Sequence, residues 1–341
     1  QFVEPHDDLN RSQSTNDSYP TALKVAFLLR NDKLIAELEQ LVASFRAKGN
    51  AFLEIPKMGR TEMQDAVPMT VGQEFHAFGA ALAAEIRLLR DAEEYLYAIN
   101  MGATAIGTGI NVPAGYPERT AEHLAALTGK PIVLADDMLA ATWDQQAFVA
   151  YAAALKSLAI KLSKIAGDLI LLASGPRAGL YEINLPALQP GSSIMPGKIN
   201  PVVPELLNMI AFRVMGNSYS VALAAHSGQL QLNAMEPMII YNLLNSLKML
   251  KEACQMLEHR CIRGIIANEQ ACAAHVDNSI GIITALVPHI GYSNASRIAH
   301  TALMTGSTVK ALIIEENLMS ESELNRLLSP QSMLAPQKAA S

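Results

Sequence analysis

The chain has 341 residues, half of them hydrophobic and 17% charged, with a formal net charge of -6. That length and composition bury a large core and allow two or three domains. With no Lys/Arg run in an acidic chain, nucleic acid and anionic membrane are argued against as partners, and an anionic small substrate must be held by local charge.

Cys254, Cys261 and Cys272 are odd in number, form no CxxC and sit in apolar helical sequence. Buried reduced thiols are therefore expected, not a disulfide or a zinc site. Asn16-Asp17-Ser18 and Asn294-Ala295-Ser296 match the glycosylation pattern, but nothing else points to secretion. No apolar run reaches membrane-spanning length and the N-terminus is no signal peptide, so a cytoplasmic location is expected. The chain opens Gln1-Phe2-Val3-Glu4-Pro5, without an initiator Met or a helix-start signal. It reads as a chain entered midway.

In chain order, the first feature is a break at Ser12–Pro20 ("SQSTNDSYP"), with a helix N-cap expected just before Thr21. A second break covers Pro56–Thr70, "PKMGRTEMQDAVPMT". Val71 to Ile99 is rich in Ala, Leu and Glu, lacks Pro and predicts a long helix, with Gly79 only a weak breaker. Gly102–Pro117, "GATAIGTGINVPAGYP", is the third break. Then Phe148, Tyr151, Leu155, Leu158, Leu162, Ile165, Leu169 and Leu172 step by threes and fours, an unbroken heptad seam. The fourth break is Gly175–Glu205. A second seam runs Ile240, Leu243, Leu247, Leu250, Cys254, Leu257, Cys261.

Strand alternation is scarce and aromatics are 5%, so the fold class is all-α, a long-helix bundle. After Cys261 the seams shorten, and Ser320-Glu321-Ser322-Glu323 forms a capping box that opens a short helix. The expected domains are a central helical bundle over 1–263 and a small helical domain over 264–341.

Inside the fourth break lies "GSSIMPGKINPVVPE", residues 191–205. A plain connector explains its Gly and Pro but not Ser192, Ser193, Lys198 and Asn200 together. A Walker loop needs four residues between its glycines and Ser/Thr after the Lys. Here five separate Gly191 from Gly197, and Ile199 follows Lys198. The remaining reading is a glycine-hinged mobile lid whose free N–H groups and Lys198 face a carboxylate, with a serine at the reacting carbon.

"GSSIMPGKINP" resembles the signature of the aspartase/fumarase superfamily, G-S-S-x-M-P-x-K-x-N-P. "SQSTND", "GRTEMQDAVPMTVGQEF", "GATAIGTGIN" and "SGPRAGLYEINLP" match in order, and the resemblance covers essentially the whole chain. "GPRAGLYEINLP", "INPVVPE" and "GQLQLNAMEP" resemble the branch that acts on aspartate more than the fumarases, which usually carry Phe-Glu where Leu230-Gln231 stands.

The resemblance implies a homotetramer whose long helices form one bundle, with each active site drawn from three chains. It implies reversible elimination of ammonia from L-aspartate to give fumarate, with no cofactor and no metal. Removal of the weakly acidic Cβ proton puts charge on the adjacent carboxylate as a dianionic enolate, which the enzyme must stabilise. By resemblance Ser192 is the base, working as an alkoxide held by backbone N–H groups and a nearby cation. Ser193, Lys198 and Asn200 would bind the carboxylate next to the reacting carbon. Ser14, Thr15, Asn16 and Thr61 would hold the substrate. Glu205, just after Pro204 at a helix start, is an accessory candidate in a place the helix dipole favours anyway.

The sequence also departs from the family. Glu62 stands where His or Gln is usual, and fumarases commonly use that His in a water or proton relay. Ammonia leaving from an ammonium group needs no general acid, so this change weakens a hydratase reading, and a carboxylate there would attract the substrate ammonium. "EPHDD" replaces the usual "HPND" near residues 4–8, leaving a secondary anion site without its pattern. The family's N-terminal domain, with its Thr-bearing carboxylate loop, has no counterpart before "SQSTND", so a fragment is expected. Fumarate hydratase is the second reading and a non-catalytic helical scaffold the third.

Overall fold

The computed structural model describes residues 2–329 and 332. Gln1, where the chain reads as entered midway, and the tail of the expected 264–341 domain lie outside the described residues. Among the described residues, the helices are α1 Thr15–Ala51, α2 Val71–Glu94, α3 Tyr116–Thr128, α4 Met138–Trp143, α5 Gln146–Leu172, α6 Val202–His226 and α7 Glu236–Arg260. The shorter α8 Glu269–Asn278, α9 Ile283–Ile290, α10 Tyr292–Thr305, α11 Val309–Glu315 and α12 Glu321–Leu327 follow. The strands are β1 Pro56–Thr61, β2 Gln64–Thr70, β3 Ala98–Ile99, β4 Val133–Leu134, β5 Ile183–Asn184 and β6 Ile266–Ala267. The molecule is overwhelmingly helical, as the sequence predicts.

The described chain divides into two compact units. The first takes the chain up to Val42, Ala80–Gly167 and Val203–Glu258. The second takes Ala43–Gly79, Asp168–Val202 and the chain from His259.

The first unit is the helical bundle. The α5 seam is buried throughout, and Phe148 and Tyr151 pack on Phe27 of α1 with ring centroids 5.7 and 6.0 Å apart. The α7 seam differs in its first member. Ile239 is fully buried and Ile240 only half-buried, because a four-residue step from 239 reaches Leu243 on the same face. A polar knot crosses this core: the Tyr151 hydroxyl donates to Asn31 Oδ1 at 2.8 Å, and Asn31 Nδ2 donates to Glu93 at 2.6 Å. Lys130 caps Glu93 at 2.7 Å, so no buried charge is left unpaired there.

The break expected at Ser12–Pro20 is mostly helix. The N-cap lies at Ser14, not before Thr21, and Pro20 sits inside α1. Proline has no N–H to give the carbonyl four residues back. That carbonyl, on Asn16, instead accepts from Asn100 Nδ2 at 3.0 Å, so the helix runs on through Pro20. The long helix expected over 71–99 stops at Glu94, and Ala98–Ile99 pairs in parallel with Val133–Leu134.

In the second unit the break expected at Pro56–Thr70 is an antiparallel hairpin, Pro56 facing Thr70 and Thr61 facing Gln64. Its two-residue turn, Glu62-Met63, has φ of +51° and +64°. Such turns normally use Asn-Gly, so the sequence carries no hairpin signal. After Cys261, short helices surround an apolar core of Ile282, Leu286, Ile298, Ile313 and Leu324, which also takes Met58 from β1. Ser320 caps α12 as expected, accepting from Glu323 N–H at 3.3 Å.

All three cysteines are free and buried. Burial pushes each thiol up to about 12, which keeps them protonated and inert. Among the described residues no single helix is long and apolar enough to cross a membrane, and no cluster of His, Cys, Asp and Glu forms a metal site.

Candidate active site

The loop 191–201 of the second unit is folded back on itself. An added Cβ on Gly191 would lie 1.8 Å from the Lys198 carbonyl oxygen, so only glycine permits this approach. Asn200 Nδ2 braces the same turn, donating to the Gly191 carbonyl at 2.7 Å. Gly197 takes φ of +80°, reversing the chain just before Lys198. Ser192 Oγ accepts two backbone hydrogen bonds, from Met195 N–H at 3.0 Å and Ile194 N–H at 3.2 Å. This is a common serine turn. It also aims a pair of fixed backbone dipoles at the serine oxygen.

A cavity of about 470 Å³ lies beside the loop, lined by Lys198, Asn200 and Gly197 and, from the preceding segment, Pro176, Tyr181 and Asn184. Ser192 and Ser193 sit on the loop outside that lining. Lys198 is exposed and makes no ion pair among the described residues, which leaves its charge available.

The cavity wall is held by a buried carboxylate. Glu182 is fully buried, with Arg60 Nη1 at 2.7 Å, Lys57 Nζ at 3.0 Å and His275 Nδ1 at 3.1 Å. Burial alone would raise this carboxyl, but Lys57 and Arg60 outweigh it and hold it below the usual carboxylate range. The backbone is pinned as well. Glu182 N–H donates to Leu172 O at 2.9 Å, and Glu182 O accepts from Asn268 N–H at 2.8 Å. Since Lys57 and Arg60 lie on β1, Glu182 ties the hairpin to the wall of the cavity. Thr61 ends β1 and is exposed, and Glu62 follows at the exposed hairpin tip.

The remaining expected contacts fall in the first unit. Ser14 caps α1, its Oγ accepting from Asn16 N–H at 3.1 Å while buried Asp17 accepts from Ser14 N–H at 2.9 Å. Asp17 also accepts from Thr104 N–H at 2.9 Å, and Asn16 Nδ2 donates to Ala105 O at 2.7 Å. The stretch "SQSTND" is thus wedded to "GATAIGTGIN". Thr15 is exposed on the first turn, and Glu205 is exposed on the first turn of α6. The sequence reading singles out none of Tyr181, Glu182, Asn184 or Arg60. The available signal was a lone acid between Leu180 and Ile183 inside "GLYEINLP", since a charge in an apolar run is either exposed or paired.

Known families and proteins match the chain along nearly its whole length. Residues 1–216 match a family model described as lyase, and residues 282–335 match one described as fumarase C C-terminus. A Pseudomonas aeruginosa protein named aspartate ammonia-lyase is 52% identical over 336 residues, covering 98% of this chain and 71% of that protein. The Escherichia coli K12 protein of the same name is 48% identical, covering 98% and 70%. A Brucella melitensis structure titled fumarate lyase:delta crystallin superposes with TM-score 0.95 at 47% identity, over 98% of this chain and 72% of that one. A class II fumarase from Schistosoma mansoni gives 0.92 at 32% identity, over 98% and 74%. The chain belongs to the aspartase/fumarase superfamily of lyases. The Pseudomonas aeruginosa, Escherichia coli and Helicobacter pylori relatives, at 47–52% identity, carry one particular name within it, aspartate ammonia-lyase.

Proposed function

We propose that this chain is an aspartate ammonia-lyase, eliminating ammonia reversibly from L-aspartate to give fumarate. The observation that carries the reading is the serine beside the closed neck of the loop, next to Gly191. Ser192 Oγ already receives two backbone N–H groups, and Lys198 and Asn200 lie on the same loop. Such donors are what a serine alkoxide needs in order to exist as a base. The alkoxide takes the Cβ proton, and the C–H electron pair moves into the neighbouring carboxylate as an enolate. Lys198 and Ser193 hold that charge, while Asn200 braces the loop and offers its amide. The pair then returns to form the C=C bond as the C–N bond breaks, and ammonia leaves with the C–N electrons. Ser14, Thr15, Asn16 and Thr61 hold the rest of the substrate, and Glu62 attracts the ammonium. Glu205 is an accessory at its helix start. The higher identity to aspartate ammonia-lyases than to the fumarase supports ammonia over water as the leaving group.

The reading extends to a cytoplasmic homotetramer. α6 is apolar on two faces. Leu207, Ala211, Val214, Val221 and Ala224 are buried within the unit, while Leu206, Met209, Phe212, Tyr219 and Leu223 are exposed at helical spacing. A helix apolar all round is normally buried all round, and copies of this chain would cover the outer stripe.

Ser192→Ala tests the assignment. Losing a cap of two hydrogen bonds costs about 1 kcal/mol of local stability. Losing the base costs up to about 8 kcal/mol, roughly a millionfold in kcat. Fumarate absorbance at saturating L-aspartate, with circular dichroism as the folding control, separates the two. A folded variant keeping more than about one per cent of kcat would rule the serine out as base.

A further inference from the structure

We propose that Tyr181 is a substrate-binding residue, donating its phenolic hydrogen bond to a carboxylate of the C4 dicarboxylate in the cavity. The inference rests on the proposed function and adds to it a residue that lies outside the signature loop.

Three observations carry it. First, Tyr181 has φ of +49°, in the left-handed region that glycine and asparagine adopt easily and a bulky aromatic does not. Second, this conformation is enforced. Tyr181 N–H donates to Ser174 O at 2.9 Å, Leu180 N–H donates to Ser174 Oγ at 3.0 Å, and the next residue is the clamped Glu182. Strained residues held by over-determined surroundings gather at ligand sites. Third, Tyr181 is half-buried and lines the same cavity as Lys198 and Asn200, and its hydroxyl makes no hydrogen bond to any described residue. A tyrosine so placed keeps a donor for something that is not protein. The Asn184 side chain lines the cavity in the same unpartnered state, so Lys198, Tyr181 and Asn184 together offer one cation and two neutral donors. That set suits a carboxylate. A phosphate site would call for more charge.

Two variants separate binding from strain. They are made in the full natural protein, with whatever sequence flanks residues 1–341 in its gene. Tyr181→Phe keeps the ring and removes the donor. Tyr181→Asn removes the ring and adopts the left-handed conformation at little cost. The readouts are KM and kcat for L-aspartate, the inhibition constant of succinate (a C4 dicarboxylate with no ammonium), and the thermal midpoint. In Tyr181→Phe, KM and the succinate constant are expected to rise roughly tenfold, with kcat within about twofold and an unchanged midpoint. Tyr181→Asn is expected to show the same loss of binding with an equal or higher midpoint. A purely structural role moves the midpoint and leaves succinate binding alone. Succinate and aspartate constants within twofold of wild type in both variants would overturn the proposal. Ser192→Ala, assayed beside them, reports separately on the serine base, so the two readings fail independently.

Discussion

Replacing Gly191 with alanine tests whether the closed loop is the working form of the site. The added methyl would sit 1.8 Å from the Lys198 carbonyl oxygen and 2.5 Å from its carbon. Both are backbone atoms, so no side-chain rotation relieves the overlap. A carbon–oxygen contact is comfortable near ~3.3 Å, so the carbonyl must retreat by roughly 1.5 Å. Lys198 moves with it, and the Asn200 brace at 2.7 Å is stretched or lost. A displacement of about 1 Å at a catalytic group costs on the order of 100-fold in rate. That is about 2.7 kcal/mol of transition-state stabilisation. The fold itself should notice little, because the loop is largely exposed and surface changes away from the core stay within about 0.5 kcal/mol. Gly191→Ala is therefore expected to lose about two orders of magnitude in kcat/KM for L-aspartate while its thermal midpoint moves by no more than about 2 °C. Initial rates of fumarate absorbance and a circular dichroism melt on one preparation give both numbers. A variant with kcat/KM within threefold of wild type would refute the reasoning, since the serine and lysine would then work without this close approach.

Three further outcomes follow from buried polar groups and the hairpin tip. Asn100→Ala removes the donor that serves the Asn16 carbonyl opposite Pro20, and urea unfolding should show a loss of about 1–3 kcal/mol with an unchanged m-value. Glu182→Gln leaves the buried guanidinium of Arg60 without its carboxylate and Lys57 with Glu74 alone, and should cost about 3–5 kcal/mol. Because the folded Glu182 pKa lies below its unfolded value, its contribution is fully present above the unfolded value of about 4.3. It is lost as pH falls through the folded value, so stability measured from neutral to acid pH should fall less steeply in Glu182→Gln than in wild type. Glu62→Gln, at the exposed hairpin tip, should leave kcat within about tenfold, a barrier change of roughly 1.4 kcal/mol or less. A loss of several orders of magnitude would make Glu62 a proton-transfer group.

Heptad spacing alone was enough to place α5 and most of α7, because a 3.6-residue period has one buried face whatever the rest of the fold does. The loop 191–201 was also legible, since Gly, Pro, Ser, Lys and Asn in that density have no use inside a helix. Local sequence said nothing of the hairpin at 56–70, whose turn holds Glu62 and Met63 at positive φ. Nor did it place α1 across Pro20, because the missing hydrogen bond is replaced from Asn100, eighty residues away in the chain. The site divides along the same line. Ser192, Lys198 and Asn200 are neighbours by sequence, so a motif displays them. Tyr181 and Glu182 take their meaning from Ser174, Arg60, Lys57 and His275. Those partners meet only after folding, when burial turns an ordinary glutamate into a clamp and a clamp makes a strained tyrosine affordable.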